Sequence, residues 1–280
     1  MSVATDTATG EAPAAPGRRE TSKQARRRQR LLRGFLGIVT FFAVWEFLYQ
    51  AGTLNPLFFA EPWEIAKTTI ELIKPGGELV PHLKESVVEM VLGFGIGALS
   101  AILLGLLIGW STFLDDVTEP LVAAFYATPY VAFLPLIIIW VGIGLWSKVI
   151  IVIWATFFPV LINAIAGVKN TPPEFLRVAE AFCVGRCRTF TTLILPSAVP
   201  YLLAGLRQAI GRSLVGVIVA EFYLAQKGVG FFINEATSTY RPAEAFAAIL
   251  LTALAGIALV RGVAAIERRV GARWGITTKT

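Results

Sequence analysis

Cys183 and Cys187 stand four residues apart, a spacing that on a helix turns two thiolates to one face and could hold a soft metal. The rest of a ligand set is missing. The only histidine, His82, lies far away in sequence, so both cysteines read as small apolar residues and neither a metal nor a cofactor is expected. The single histidine also argues against a Ser/His/Asp set. No G-x-x-x-x-G-K-[ST] phosphate loop occurs, so the chain has no evident means of holding ATP and reads as non-catalytic. What remains is charge inside apolar runs. Arg207 and Arg212 lie five apart within one run, Glu221 near its far end, and Glu46 and Glu89 near the ends of two others. Charge in hydrocarbon is costly, so such groups either pair, snorkel to an interface or face water. Arg207, Arg212 and Glu221 are accordingly the candidates for a pathway that attracts an anion.

The elements that must position these groups are membrane spans. Hydrophobic residues make up 55% of the 280 and charged residues 16%, mean hydropathy is +0.67, and a soluble domain carries about 25% charge. The expectation is an all-α polytopic protein of six transmembrane helices at about 20 apolar residues each: 34–49, 86–110, 121–145, 148–168, 200–222 and 245–264. Residues 1–17 are rich in Ala, Thr, Gly and Pro, and eight basic residues follow between 18 and 33, so 1–33 reads as a disordered basic segment. The apolar run after it lacks a clear small-residue cleavage site and reads as a retained first span. With the N-terminus inside, inner segments hold 17 Lys and Arg against 6 outside, which favours N-in and C-in. That orientation puts residues 170–197 and the basic tail 266–280, with Trp274 as an interface anchor, in the cytoplasm. The net charge of +6 is thereby a matter of topology, and no basic face interleaved with aromatics suggests nucleic acid.

Gly93, Gly97, Ala101, Gly105 and Gly109 recur every four residues along the second span, a small-residue stripe that lets another helix approach closely. Its partner is another span or a second protomer. Pro129, Pro135 and Pro159 are expected to bend the third and fourth spans.

Between the fourth and fifth spans lies a polar insert. Thr171 and Glu174 have capping-box spacing with Pro172 at the first helical position, and Gly185 is placed to stop the helix. Phe175, Val178, Ala179 and Phe182 form one apolar face, with Glu174, Arg177 and Glu180 away from it. A second short helix is expected from 187 to 195, ending at Pro196.

This insert resembles the EAA loop of ABC-importer permeases, whose pattern is Glu-Ala-Ala, three residues, Gly, nine residues, then Ile-x-Leu-Pro. Leu193-Ile-Leu-Pro196 matches the end. Counting back from Pro196 puts Cys183 at the Gly position, Ala179 at the second Ala and Arg177 at the Glu. Anchoring on Gly185 instead puts Ala181 at the second Ala and Ala179 at the Glu. The first register keeps the spacing without an insertion and is preferred. Neither supplies the family's carboxylate, for which Glu174 and Glu180 are the nearest substitutes. Trp45-Glu46, Gly93-Phe-Gly-Ile-Gly97, Leu134-Pro135, Ile139-Trp-Val-Gly-Ile-Gly144, Ser147-Lys148, Phe157-Phe-Pro159, Gly205-Leu-Arg207, Ala220-Glu221 and Gly228-Val-Gly230 are similar to blocks of the nitrate/sulfonate/taurine subgroup.

The resemblance implies a MetI-like permease in the cell membrane. Two permease protomers, a homodimer or a pair of paralogues, would form the path. Each would dock a separate ABC ATPase subunit, two copies in all, and an extracytoplasmic solute-binding protein would deliver the solute. Phe175, Arg177, Ala179, Glu180, Phe182 and Cys183 are the expected force-transmitting residues, and the solute would be a sulfonate, taurine, nitrate or related small anion. Two other classes fit less well. An ion-coupled secondary transporter is expected to show an inverted repeat, and no convincing one joins the halves. A membrane scaffold subunit rests only on the missing catalytic set.

Overall fold

The computed structural model describes residues 16–224 and 226–273, and every regular element among them is helical. In chain order these are α1 (Pro16–Gln50), α2 (Pro62–Ile73), α3 (Leu79–Trp110), α4 (Thr112–Ala127), a 3₁₀ turn (Tyr130–Phe133), α5 (Leu134–Val141), α6 (Leu145–Lys169), α7 (Pro173–Ala181), α8 (Arg186–Thr189), a π turn (Phe190–Ile194), α9 (Leu195–Leu224), α10 (Val229–Ser238) and α11 (Pro242–Arg273). Five helical stretches among the described residues are long and apolar enough to cross a membrane: Leu32–Gln50, Leu79–Trp110, Leu145–Lys169, Arg186–Tyr223 and Pro242–Ala265. A sixth span results if the bent pair Thr112–Ala127 and Tyr130–Val141 is counted as one.

The chain divides into two units, Met1–Pro56 and Leu57–Thr280. In the first, α1 is helical from Pro16, through much of the stretch expected to be irregular. Residues 18–33 contain neither Pro nor Gly and are rich in Arg, Gln, Lys and Leu, all good helix formers, so the charge run does not break the helix. Glu46 accepts a hydrogen bond from Gln50 one turn on, at 2.6 Å. Residues 1–15 and 274–280, with Trp274, lie outside the described residues.

In the second unit α6 runs between α3 and α9. The small-residue stripe of α3 lies along α6: a Cβ on Gly97 would sit 2.9 Å from Ile153 O, on Gly105 2.5 Å from Ala164 Cβ, and on Gly109 2.8 Å from Val168 Cβ. Ala101 between them is fully buried. Residue numbers rise together along both helices, so α3 and α6 are parallel and in one register. On its other side α6 packs against α9 running the opposite way, with Gly205 against Asn163 and Gly216 against Ala155. Val160, Leu161, Ala101 and Ala209 fill one stretch of core, and Ile151, Leu134, Ile137 and Ala220 another. Both α10 and α11 pack on α9, and α2, with Ile65, Thr69 and Leu72 buried, lies mainly against α11.

Two expectations are corrected. The third span bends at Pro129 as expected, by 85° after Ala127, but its helical pieces are Thr112–Ala127 and Tyr130–Val141 rather than 121–145. Thr128, forced extended by the proline that follows (ψ 128°), and Pro129 (ψ 111°) interrupt it. Leu145 belongs instead to α6, which opens where Gly144 N–H donates to Ser147 Oγ at 3.1 Å. Nor does Pro196 end a short helix. Helical backbone runs from Arg186 to Tyr223, because the wider π turn just before Pro196 opens the preceding carbonyls away from its ring.

The seam between α3 and α6 predicts a position-specific effect. Gly105→Leu should lower the thermal midpoint of purified protein by the equivalent of about 1–3 kcal/mol of overpacking. Gly95→Leu, where a Cβ meets nothing within 4 Å, should be neutral. Pairing Gly105→Ala with Ala164→Gly should partly restore what Gly105→Ala loses.

Candidate functional site

The segment after α6 is built by prolines and one left-handed residue. Pro172 and Pro173 move the start of α7 one residue beyond the expected cap. Pro172, not Thr171, is the cap residue, no side chain caps the helix, and the Thr171 hydroxyl is buried without a hydrogen-bond partner. The capping box with Glu174 therefore does not form. Along α7 Ala179 is buried while Phe175 (52% exposed), Val178 and Phe182 (79%) present their rings and branches outward. Glu174, Arg177, Glu180 and Ala181 are also exposed. With Val184, Arg188, Thr189, Thr192 and Leu193 the apolar face lines an open groove of about 460 Å³.

The end of α7 is closed by Cys183, not by Gly185. Cys183 takes φ +53°. Its N–H donates to Glu180 O at 2.9 Å, and Val184 N–H reaches back to Ala179 O at 2.9 Å. These two bonds make a Schellman closure, whose left-handed position glycine normally fills. Gly185, at φ −62°, caps the next helix with ordinary backbone. Both cysteines are free and exposed, and among the described residues no cluster of three metal-ligating side chains occurs.

A buried polar cluster lies at the opposite end of α6. Lys148, 4% exposed, forms an ion pair with the fully buried Glu89 and lies 3.5 Å from the half-buried Glu85. Glu89 and Lys148 are 59 residues apart, the offset that also relates Gly97 to Thr156, Gly105 to Ala164 and Gly109 to Val168 across the seam. Glu221 is fully buried too. It accepts from Ser86 Oγ at 2.5 Å and from Gly230 N–H at 2.7 Å, while Val229 N–H donates to Ser86 Oγ at 2.9 Å and Gly228 N–H to His82 Nδ1 at 3.1 Å. Gly228 takes φ +124° with the Glu221 carboxylate directly beside it, which excludes any side chain there.

The structure does not bring the three pathway candidates together. Arg207 and Arg212 are exposed, and at about 100° per residue Glu221 lies on the far side of α9 from Arg212. Arg212 donates to Tyr126 Oη at 2.7 Å with its guanidinium 4.6 Å from the ring centroid. Gln208, one turn before it, accepts from Asn163 Nδ2 at 3.3 Å. Sequence reasoning missed Lys148 and Ser86 as partners of the intramembrane glutamates. Three ionisable residues near the ends of separate spans were the available signal, but their adjacency depends on helix register.

Residues 101–272 match the family described as binding-protein-dependent transport system inner membrane component. The chain belongs to this family. It is a multi-pass inner-membrane permease of a binding-protein-dependent importer, and membership implies ATPase and binding-protein partners in general. It is 29% identical, over 94% of its length and 95% of the relative's, to the putative aliphatic sulfonates transport permease protein SsuC of Bacillus subtilis (strain 168). It is 29% identical to the taurine transport system permease protein TauC of Escherichia coli (strain K12), over 81% and 84%, and 26% identical to the nitrate import permease protein NrtB of Synechocystis sp., over 86% and 90%. A crystal structure of an amino acid ABC transporter with histidines superposes with a TM-score of 0.60 at 18% identity, over 76% of this permease and all of that chain, a likeness of fold.

A left-handed residue with a Cβ is disfavoured by about 1 kcal/mol, so Cys183→Gly should raise the stability of the permease by roughly that amount in thermal unfolding. Gly185→Ala should leave it unchanged.

Proposed function

We propose that this permease imports a small anion, driven by ATP hydrolysis in a separate subunit that docks on α7. The observation that carries the docking reading is the outward apolar face of Phe175, Val178 and Phe182, bordered by Glu174, Arg177 and Glu180. An amphipathic helix with an apolar anchor and polar rim suits a groove on a soluble partner. The left-handed backbone at Cys183 supports the register in which Cys183 stands for the motif glycine and Arg177 for the glutamate. In this reading two ATPase subunits close on ATP and pull the α7 helices of two permease protomers, alike or paralogous. The spans then tilt, and solute released by an extracytoplasmic binding protein passes inward. The excess of Lys and Arg in alternate segments supports cytoplasmic α7, N-in and C-in.

Support for an anion comes from Arg212. Among the described residues no carboxylate is paired with it; it bonds and stacks on the neutral Tyr126. An exposed guanidinium within a span snorkels to an interface or faces water or a second protomer, and the last two suit a pathway. The named relatives carry sulfonates, taurine, nitrate and, in the bicarbonate transport system permease protein CmpB, bicarbonate.

Reconstitution with the cognate ATPase and binding protein tests both parts. Phe182→Asp should leave the permease folded but abolish ATP-driven uptake and its co-purification with the ATPase; retained coupling would remove the docking role. Arg212→Gln should lower uptake of the anion several-fold at equal protein level while the ATPase still co-purifies, and unchanged uptake would remove the pathway role.

A further inference from the structure

The cluster at the Lys148 end of α6 holds more buried carboxylate than ammonium. Glu89 and Glu221 are fully buried, and Lys148 is the one buried cation among the described residues there. Lys148 is itself shared between Glu89 and Glu85. Both oxygens of Glu221 are occupied by donors, the Ser86 hydroxyl and the Gly230 N–H. Glu89 differs. Its Oε1 bonds Lys148, while its Oε2, shut away from solvent, reaches no hydrogen-bond partner, and Glu221 is held by Ser86, one turn before Glu89 on the same face of α3. A buried carboxylate oxygen beside a second carboxylate lacks the positive partner that buried charge requires.

We propose that Glu89 and Glu221 together bind one monovalent cation, a proton or an alkali-metal ion, at the Glu89 Oε2 position. The cation balances the second carboxylate and lets the two side chains remain adjacent. Its effect reaches the backbone through Glu221 and Ser86, which hold the N–H groups of Gly230 and Val229 against α3. The site thus fastens the turn before α10 at the end of the bundle remote from α7, across the length of α6. The titratable groups facing it are His82, Glu85 and Glu89 from α3, Lys148 from α6 and Glu221 from α9; the α10 turn contributes only backbone donors. Loss of the cation leaves two buried like charges on neighbouring helices without a balancing partner and releases that turn.

The test uses the full chain in lipid nanodiscs. Thermal midpoint and amide hydrogen exchange over residues 228–232, corrected for intrinsic rates, are followed with sodium replaced by choline at constant ionic strength, and separately from neutral to alkaline pH. The wild type should lose stability and protection on removal of sodium if the ion is an alkali metal, or on raising pH if it is a proton. Glu89→Gln, a neutral isostere, should lose whichever response the wild type shows. Lys148→Met, which removes the balancing ammonium, should steepen it. The proposal is overturned if wild type and Glu89→Gln respond alike to both variables, or if exchange over 228–232 in the wild type is indifferent to both; the second readout stands even if the variants fail to fold.

Discussion

The close parallel approach of α3 and α6 is the constraint on which the rest of the second unit depends. Lipid provides no hydrophobic drive between helices, so association rests on van der Waals contact and on backbones coming near each other. Gly97, Gly105 and Gly109 allow this because a Cβ at any of them would enter the space of α6. Two parallel helices adjacent in the sequence of spans need a return crossing between them. That crossing is the α4 to α5 segment, and the prolines that bend it by 85° leave Leu134 and Ile137 packed on Ile151 of α6. α9 then covers the opposite side of α6 in the antiparallel sense.

The same register sets the electrostatics. Glu89 meets Lys148 because the offset that aligns the glycines with α6 also aligns these two side chains. Breaking a buried pair of this kind by removing one partner costs about 3–5 kcal/mol, so the polar cluster resists any slip of α3 along α6. α6 therefore links two different chemistries at its ends. One end carries the buried cluster and the turn held by Glu221; the other carries Lys169, paired with Asp115 at 2.6 Å, and leads within a few residues into α7. α7 thus follows a helix whose remote end is ionically fastened.

The α7 segment shows how a helix can close on a left-handed turn without glycine. The Schellman closure needs a residue at positive φ, and Cys183 supplies it at φ +53° in place of glycine. The two hydrogen bonds that define the closure are made by backbone groups, so the side chain is free to differ. By contrast, the capping box at Thr171 failed because its geometry requires side chains, and the Pro172-Pro173 pair displaces the helix start by one residue.

The sequence by itself determined the all-helical membrane class, the five continuous spans, the small-residue seam, the apolar face of Phe175, Val178 and Phe182, and the ordered blocks that marked the family. These follow from local composition and from the 3.6-residue period, which need no knowledge of neighbours. Only the tertiary structure decided that the partner of the Gly93–Gly109 stripe is α6, that Glu89 faces Lys148, that Glu221 turns away from Arg212 into the Ser86 and Gly230 contacts, and that the helix continues through Pro196. Each of these depends on the axial register of one helix against another, or on which side of a helix becomes buried. A charge in an apolar run announces that it needs a partner, but the partner is chosen by packing.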